Sequence, residues 1–398
     1  MRRPPALSPT GRRGAKGFLT DSRPLERCNM ANFVLTASMS GRFSRRSTST
    51  NRLFLQRLVG FLFVVLTGIE DANCAAQGGE TTGGRTPILR FSIETERLCG
   101  ACLSPDGGSV ITGNAYNIAP DVKLWDLKSG KVVKTFSGHK EGVNCVACSP
   151  DGKSIASGGL DDTIRVWDVA SGKEKQVFSG HKFGVWAVAF SPDGKILASG
   201  GFDDKVMLWD LASGENICVL EGHKGGVKSL AFSPTSHLLA SGSLDKTVII
   251  WDLETRKKTA QLIGHKYEIW CVAFDPKGKY LVSGSLEDSG SLDDELKTWS
   301  TASWEETMSV QAHARGIFST AFSPDGRLLA TGGRDEVTVW SMPEVRRLYS
   351  FKAHKLPTLS VMFSHDGKSL MTAGGETLMK DDGTVKVWSV PYPSTSGK

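Results

Sequence analysis

Residues 180–210 read GHKFGVWAVAFSPDGKILASGGFDDKVMLWD, three short apolar runs set apart by turn residues. Positions 185–190 and 206–209 are apolar without alternation, so both faces of each run need cover, as in short strands buried on both sides. Ser191-Pro192-Asp193-Gly194 is a turn with a physical cause: proline presets φ and glycine supplies a positive one. Residues 196–199 form the third run, and Ala212-Ser213-Gly214 makes a second turn. The mixed segment 215–220 then has the content of an outer strand. One period therefore predicts four strands.

The pattern repeats along the chain. Tryptophan closes it at Trp125, Trp167, Trp209, Trp251, Trp299, Trp340 and Trp388, spaced 42, 42, 42, 48, 41 and 48 residues apart. Histidine opens it at His139, His181, His223, His265, His313 and His354. A Ser or Thr follows each His by 18 positions, at Ser157, Ser199, Ser241, Ser283, Thr331 and Thr372. A fixed period of this kind marks a repeat architecture, in which each unit leaves faces that only its neighbours cover. In its Gly-His and Trp-Asp pairs, their spacing and the recurring Ser or Thr, the segment 86–390 resembles the WD40 repeat family. The resemblance implies an all-β fold, a seven-bladed propeller of four-stranded blades. The last period ends after its third strand, at Trp388. The resemblance implies that 86–93 supplies the missing fourth strand, clasping last blade to first and leaving no long unpaired edge.

Most periods also carry an Asp in a tight turn. The resulting quartets are His139, Ser157, Asp161, Trp167; His181, Ser199, Asp203, Trp209; His223, Ser241, Asp245, Trp251; His265, Ser283, Asp293, Trp299; His313, Thr331, Asp335, Trp340; and His354, Thr372, Asp382, Trp388. His, Ser and Asp are the side chains of a hydrolase triad. An enzyme needs one such set beside an oxyanion hole, whereas this one recurs. The resemblance implies a buried hydrogen-bond chain from loop to Trp and no catalytic residue. The first period departs from the pattern, with Glu94 where His is expected, and periods one, five and seven carry insertions.

Cys99-Gly100-Ala101-Cys102 and Cys145-Val146-Ala147-Cys148 are paired CxxC motifs, which elsewhere can hold zinc. On a strand, however, positions i and i+3 face opposite ways. These cysteines read as small buried hydrophobes, Cys148 standing where the third period has Phe190. In an oxidising compartment they could pair, but no pairing follows from the sequence. Neither a metal nor a cofactor is expected, and the Gly-rich stretches are turns at period ends.

What differs between periods points to recognition. The His loop and the Asp turn should lie at one end of the propeller, its top. Five positions after each His stand Asn144, Trp186, Lys228, Trp270, Phe318 and Leu359, with Cys99 in the first blade. Phe183, Phe202 and Tyr267 join them from neighbouring loop positions. The expected partner-binding set is Phe183, Trp186, Phe202, Lys228, Tyr267, Trp270, Phe318 and Leu359, an aromatic top concentrated on blades three, five and six. A lysine follows His five times, at Lys140, Lys182, Lys224, Lys266 and Lys355. Together they suggest a protein or peptide partner carrying acidic groups. The bland alternative is that aromatics there are repeat filler. The expected function is a non-catalytic protein–protein scaffold; an enzyme with a central-channel site is the weaker alternative.

Charge changes the picture only at the N-terminus. The net charge of +6 hides a division: residues 1–85 hold 13 Lys and Arg against 5 Asp and Glu, the remainder 35 against 37. The repeat segment has no basic excess, which removes the main support for a nucleic-acid partner. Residues 1–52 read as a basic, disordered leader. Within 53–76, positions 58–68 are uncharged and apolar, preceded by Arg52 and Arg57 and followed by Ala72-Asn73-Cys74-Ala75-Ala76. This order fits a secretory signal. A retained membrane anchor, lipid attachment at Cys74, and an organelle transit peptide on an intracellular adaptor stay open. Residues 77–86 read as a flexible linker, 87–390 as the propeller and 391–398 as a tail.

Overall fold

The computed structural model describes residues 86–95, 98–114, 120–286, 294–334, 336–375 and 383–391. The leader, the hydrophobic segment and parts of the three insertions fall outside them. The described residues form seven four-stranded antiparallel sheets and no helix. Six blades are built from consecutive strands in simple up-and-down order. Their inner strands are Leu98–Leu103, Val143–Cys148, Val185–Phe190, Val227–Phe232, Glu268–Phe274 and Ile317–Phe322, with Thr358–Phe363 in the seventh. Each inner strand packs on the next, and Thr358–Phe363 packs on Leu98–Leu103, so the circle is complete.

Closure is made by Ile88–Thr95. It pairs antiparallel with Gly383–Ser389 as the outer strand of the seventh blade, in a register that sets Ile93 opposite Val385 and Thr95 opposite Gly383. Ile93 is 4% exposed and packs with Leu98, Val110 and Val385. The strand is thus held by a ladder on one side and by the core between blades seven and one.

The apolar core is divided among the seams between blades. One cluster joins Val206, Leu208 and Leu220 of the third blade to Val227, Leu239, Ile249 and Trp251 of the fourth. Continuous apolar runs are needed because each middle strand meets a neighbouring blade on both faces. The Ser-Gly-Gly that ends the second strand is explained by the same packing. A Cβ on Gly200 would lie 2.6 Å from Cγ1 of Val227 in the next blade, so only glycine lets the blades approach.

Truncating the closing strand should loosen the whole ring. Ile93→Ala is expected to lower unfolding free energy by about 2–4 kcal/mol, as for other large-to-small core changes. Urea titration followed by tryptophan fluorescence would measure it.

Candidate functional site

Two constellations occupy the top of the propeller. The first is the repeated quartet. In the second blade, Trp167 donates its indole N–H to Ser157 Oγ at 2.9 Å, and Ser157 Oγ lies 2.8 Å from His139 Nε2. His139 Nδ1 lies 3.0 Å from Asp161, which also accepts the backbone N–H of Lys140 at 2.8 Å. The serine accepts from Trp, so its own proton points to Nε2; Nδ1 carries the proton given to the carboxylate. The third and fourth blades repeat this through Ser199 and Ser241, with His181 on Asp203 and His223 on Asp245. Burial opposes ionisation of Asp161 and Asp245, but hydrogen bonds from the His, the following backbone N–H and a Thr outweigh it and hold both carboxyls well below the usual range. Ser157, Ser199 and Ser241 are fully buried and already engaged on both sides, so no substrate reaches their hydroxyls.

The remaining blades keep the inner half of the chain. His265, His313 and His354 reach Ser283, Thr331 and Thr372, which accept from Trp299, Trp340 and Trp388. Asp293, Asp335 and Asp382, expected as their outer partners, lie outside the described residues. On His354 the Nδ1 position is met by Thr384 Oγ1 at 2.6 Å. Burial holds His265 and His354 down to about 3 and His313 to about 4, helped by the cations Lys297, Lys386 and Arg347 respectively. The first blade, lacking His, retains Trp125 N–H to Thr112 Oγ1 at 2.8 Å.

The second constellation is a ring of bulged residues. In every blade the ladder between first and second strands slips by one at the same point, passing over Cys99, Asn144, Trp186, Lys228, Trp270, Phe318 and Leu359. A β-bulge re-aims the extra residue away from the ladder. These are the positions five after each His, gathered at the axial mouth. Lys228 Nζ lies 3.4 Å from the Trp186 ring centroid and 4.3 Å from that of Trp270. Its ammonium is enclosed, and burial lowers its pKa to about 7 against the opposing pull of Cys99, Glu268 and Cys145. Burial in turn pushes the Cys99 and Cys145 thiols up to about 12. Trp270 meets Phe318 edge-on at 5.6 Å, and Trp186 meets Phe202 at 5.9 Å.

The comparisons agree with this geometry. The family model described as WDR3 first beta-propeller domain matches residues 114–289, and that described as WD domain, G-beta repeat, matches 304–341 and 345–389. This chain belongs to the WD40 repeat family. Among curated proteins, this WD40 chain is 29% identical to Protein groucho of Drosophila melanogaster over 107 residues, 24% of this chain and 14% of that protein. It is 37% identical to the serine-threonine kinase receptor-associated protein of Dictyostelium discoideum over 78 residues, 20% of this chain and 25% of that protein. With human Coronin-7 it shares 31% over 72 residues, 18% of this chain and 8% of that protein. The matched segments span a quarter or less of each relative's length.

Within this WD40 propeller the eight expected partner-binding residues do not form one open aromatic face. Phe183 is exposed (44%) and has a left-handed backbone, φ 69°. Trp186, Phe202, Lys228, Tyr267, Trp270, Phe318 and Leu359 are half-buried. The bulge aims ring members at the axis, where they pack on one another. The loop carrying Phe183 is fixed: Gly184 N–H donates to Asp162 at 2.5 Å, and Phe202 N–H to the Gly184 carbonyl at 3.1 Å. All five post-His lysines are exposed around this mouth, three of them with backbone N–H groups held by quartet aspartates. Spacing did not reveal Thr384, although it aligns with Thr163 and Thr247, which bond the turn aspartates of their own blades.

Ser199→Ala leaves the Trp209 N–H and His181 Nε2 buried and unmatched, and should cost about 1–3 kcal/mol in urea unfolding. Acid should act through the depressed histidines. In the unfolded chain each takes its proton near ~6.5, in the fold only near 3–4. The unfolded state therefore binds more protons in that window. Their contribution is intact above about pH 6.5 and is lost as pH falls toward 4. The urea midpoint should decline over this range, and His313→Gln, although less stable at pH 7, should show a shallower decline.

Proposed function

We propose that this propeller is a non-catalytic scaffold that binds a protein or peptide bearing acidic groups across the top of blades three to five. The observation that carries this reading is the bulged ring with its lysine surround. Seven positions outside the ladder carry six different residue types, while the Trp bond to Ser or Thr beneath them recurs in all seven blades. Phe183 supports it further: a left-handed backbone costs a bulky residue roughly 1–2 kcal/mol, and such strain gathers where a side chain is displayed for use. Its neighbour Lys182 and the nearby Lys224 and Lys266 bring positive charge to the same rim. Rigid aromatics rimmed by charge are the usual anchors of protein interfaces. The Dictyostelium relative carries association with a kinase receptor in its name, which is in keeping with a binding role. The apolar stretch 58–68, with basic residues before it and small ones after, supports export or membrane tethering of the propeller.

Full-length protein presented with immobilised Glu- and Asp-rich peptides should bind them in preference to Lys-rich ones, and less well at higher salt. Lys182→Glu with Lys224→Glu should weaken that binding at least tenfold with the circular dichroism spectrum unchanged. Equal binding of acidic and basic peptides would defeat the reading. Phe183→Gly should separate display from stability: relief of backbone strain offsets the lost ring contacts, so the urea midpoint holds or rises while peptide binding falls. N-terminal sequencing of protein isolated from its source should give a start near residues 75–77 if the segment is a cleaved signal.

A further inference from the structure

We propose that Cys102 and Cys148 form a reversible disulfide that latches the first blade to the second. The two thiols come from the inner strands of adjacent blades, and their sulfurs lie 3.7 Å apart. Both are reduced in this structure. Cys102 is buried and Cys148 half-buried.

The pair is built by an exchange of volume across the seam. Aligned from the bulge, the last two positions of the inner strand are Ala189-Phe190, Ala231-Phe232, Ala273-Phe274 and Ala321-Phe322 in blades three to six. The second blade has Ala147-Cys148, so the phenyl ring is missing. The first has Cys102-Leu103, so a thiol replaces a methyl. The seventh has Met362-Phe363, and the Met362 sulfur meets the Leu103 N–H at 3.4 Å. Cys102 and Met362 grow into room that a phenylalanine at 148 would need. All three belong to one core with Ile111, Val143 and Trp167. Small-for-large and large-for-small changes therefore leave two sulfurs facing each other where the seams between blades four and five and between five and six set Ala against Phe.

The neighbouring thiols are engaged differently. Cys145 faces the carbonyls of Gly158 and Val185, and Cys271 those of Gly284 and Ile317. Among the described cysteines only Cys102 and Cys148 have sulfurs within contact. The Cys102 S–H donates to Cys148, and that bond, with burial, holds the Cys102 thiol well above its usual range. Cys148, more exposed and accepting that bond, is the sulfur that reacts first.

The oxidant is a peroxide of hydrogen-peroxide size, small enough for a half-buried thiol. The Cys148 thiolate attacks one peroxide oxygen, the O–O bond breaks, and sulfenic acid forms with loss of hydroxide. The Cys102 sulfur then attacks the sulfenic sulfur; the S–O bond breaks, the S–S bond forms, and water leaves. Two thiols and one hydrogen peroxide give one disulfide and two waters, two electrons passing from sulfur to peroxide. The latch supports the blade in which Glu94 stands where the other blades have His.

The test uses the reduced full-length chain treated with hydrogen peroxide, alkylated in denaturant, digested and read by mass spectrometry. A peptide pair joining Cys102 to Cys148, 2 Da lighter than its parts and separated by dithiothreitol, is expected, with a melting temperature several degrees above that of the reduced protein. Cys148→Ala and Cys102→Ala should each abolish both the joined pair and the rise. The proposal is overturned if Cys148 proceeds to sulfinic acid while Cys102 stays alkylatable. It is equally overturned if both are alkylated after oxidation, or if the joined peptides contain Cys99 and Cys145 instead.

Discussion

An indole N–H buried between two blades must find an acceptor, and one serine or threonine hydroxyl supplies it. Because that hydroxyl accepts from Trp, it donates to His, and the His donates to an Asp that grips the loop backbone. A single direction of proton donation thus runs from the core to the top of the molecule. Such a buried chain is favourable only when every member is matched, so it tolerates one loop conformation and disfavours others. The top loops are fixed by the interior rather than by their own sequence.

That constraint gives a set of hydrolase-like side chains a structural part. The serine is fully buried, its lone pair is occupied by indole and its proton by imidazole. The same residues in an open cleft would activate a nucleophile; sealed behind a tryptophan they hold a strand to a loop. At His354, whose Nδ1 meets Thr384, the inner half is the same as in the other blades. The first blade shows the limit, keeping Trp125 on Thr112 alone among its described residues.

The architecture was legible because strand periodicity and a fixed repeat encode it directly. The quartets of blades two to four, and the His–Ser/Thr–Trp links of blades five to seven, were legible for the same reason, since separation along the chain within one blade is separation along two paired strands. The offset of the variable ring was legible too, but not its direction. That Trp186 and Trp270 would turn inward onto Lys228, with only Phe183 standing out, depends on a bulge and on side-chain contacts from one blade to the next. The meeting of Cys102 with Cys148 was hidden likewise, because it needs the stagger of one blade against the next. Sequence spacing reports neighbours within a sheet; it is silent on neighbours around a circle.

The bulge has one more consequence. A residue that stands outside the ladder neither pairs across strands nor carries the alternation that keeps a blade buried. Cys, Asn, Trp, Lys, Trp, Phe and Leu occupy the same seat in seven copies without altering the frame. The mouth of the propeller is therefore spelled by seven letters that drift independently of the scaffold. A lineage could rewrite what the protein greets by single substitutions, without first relearning how to fold.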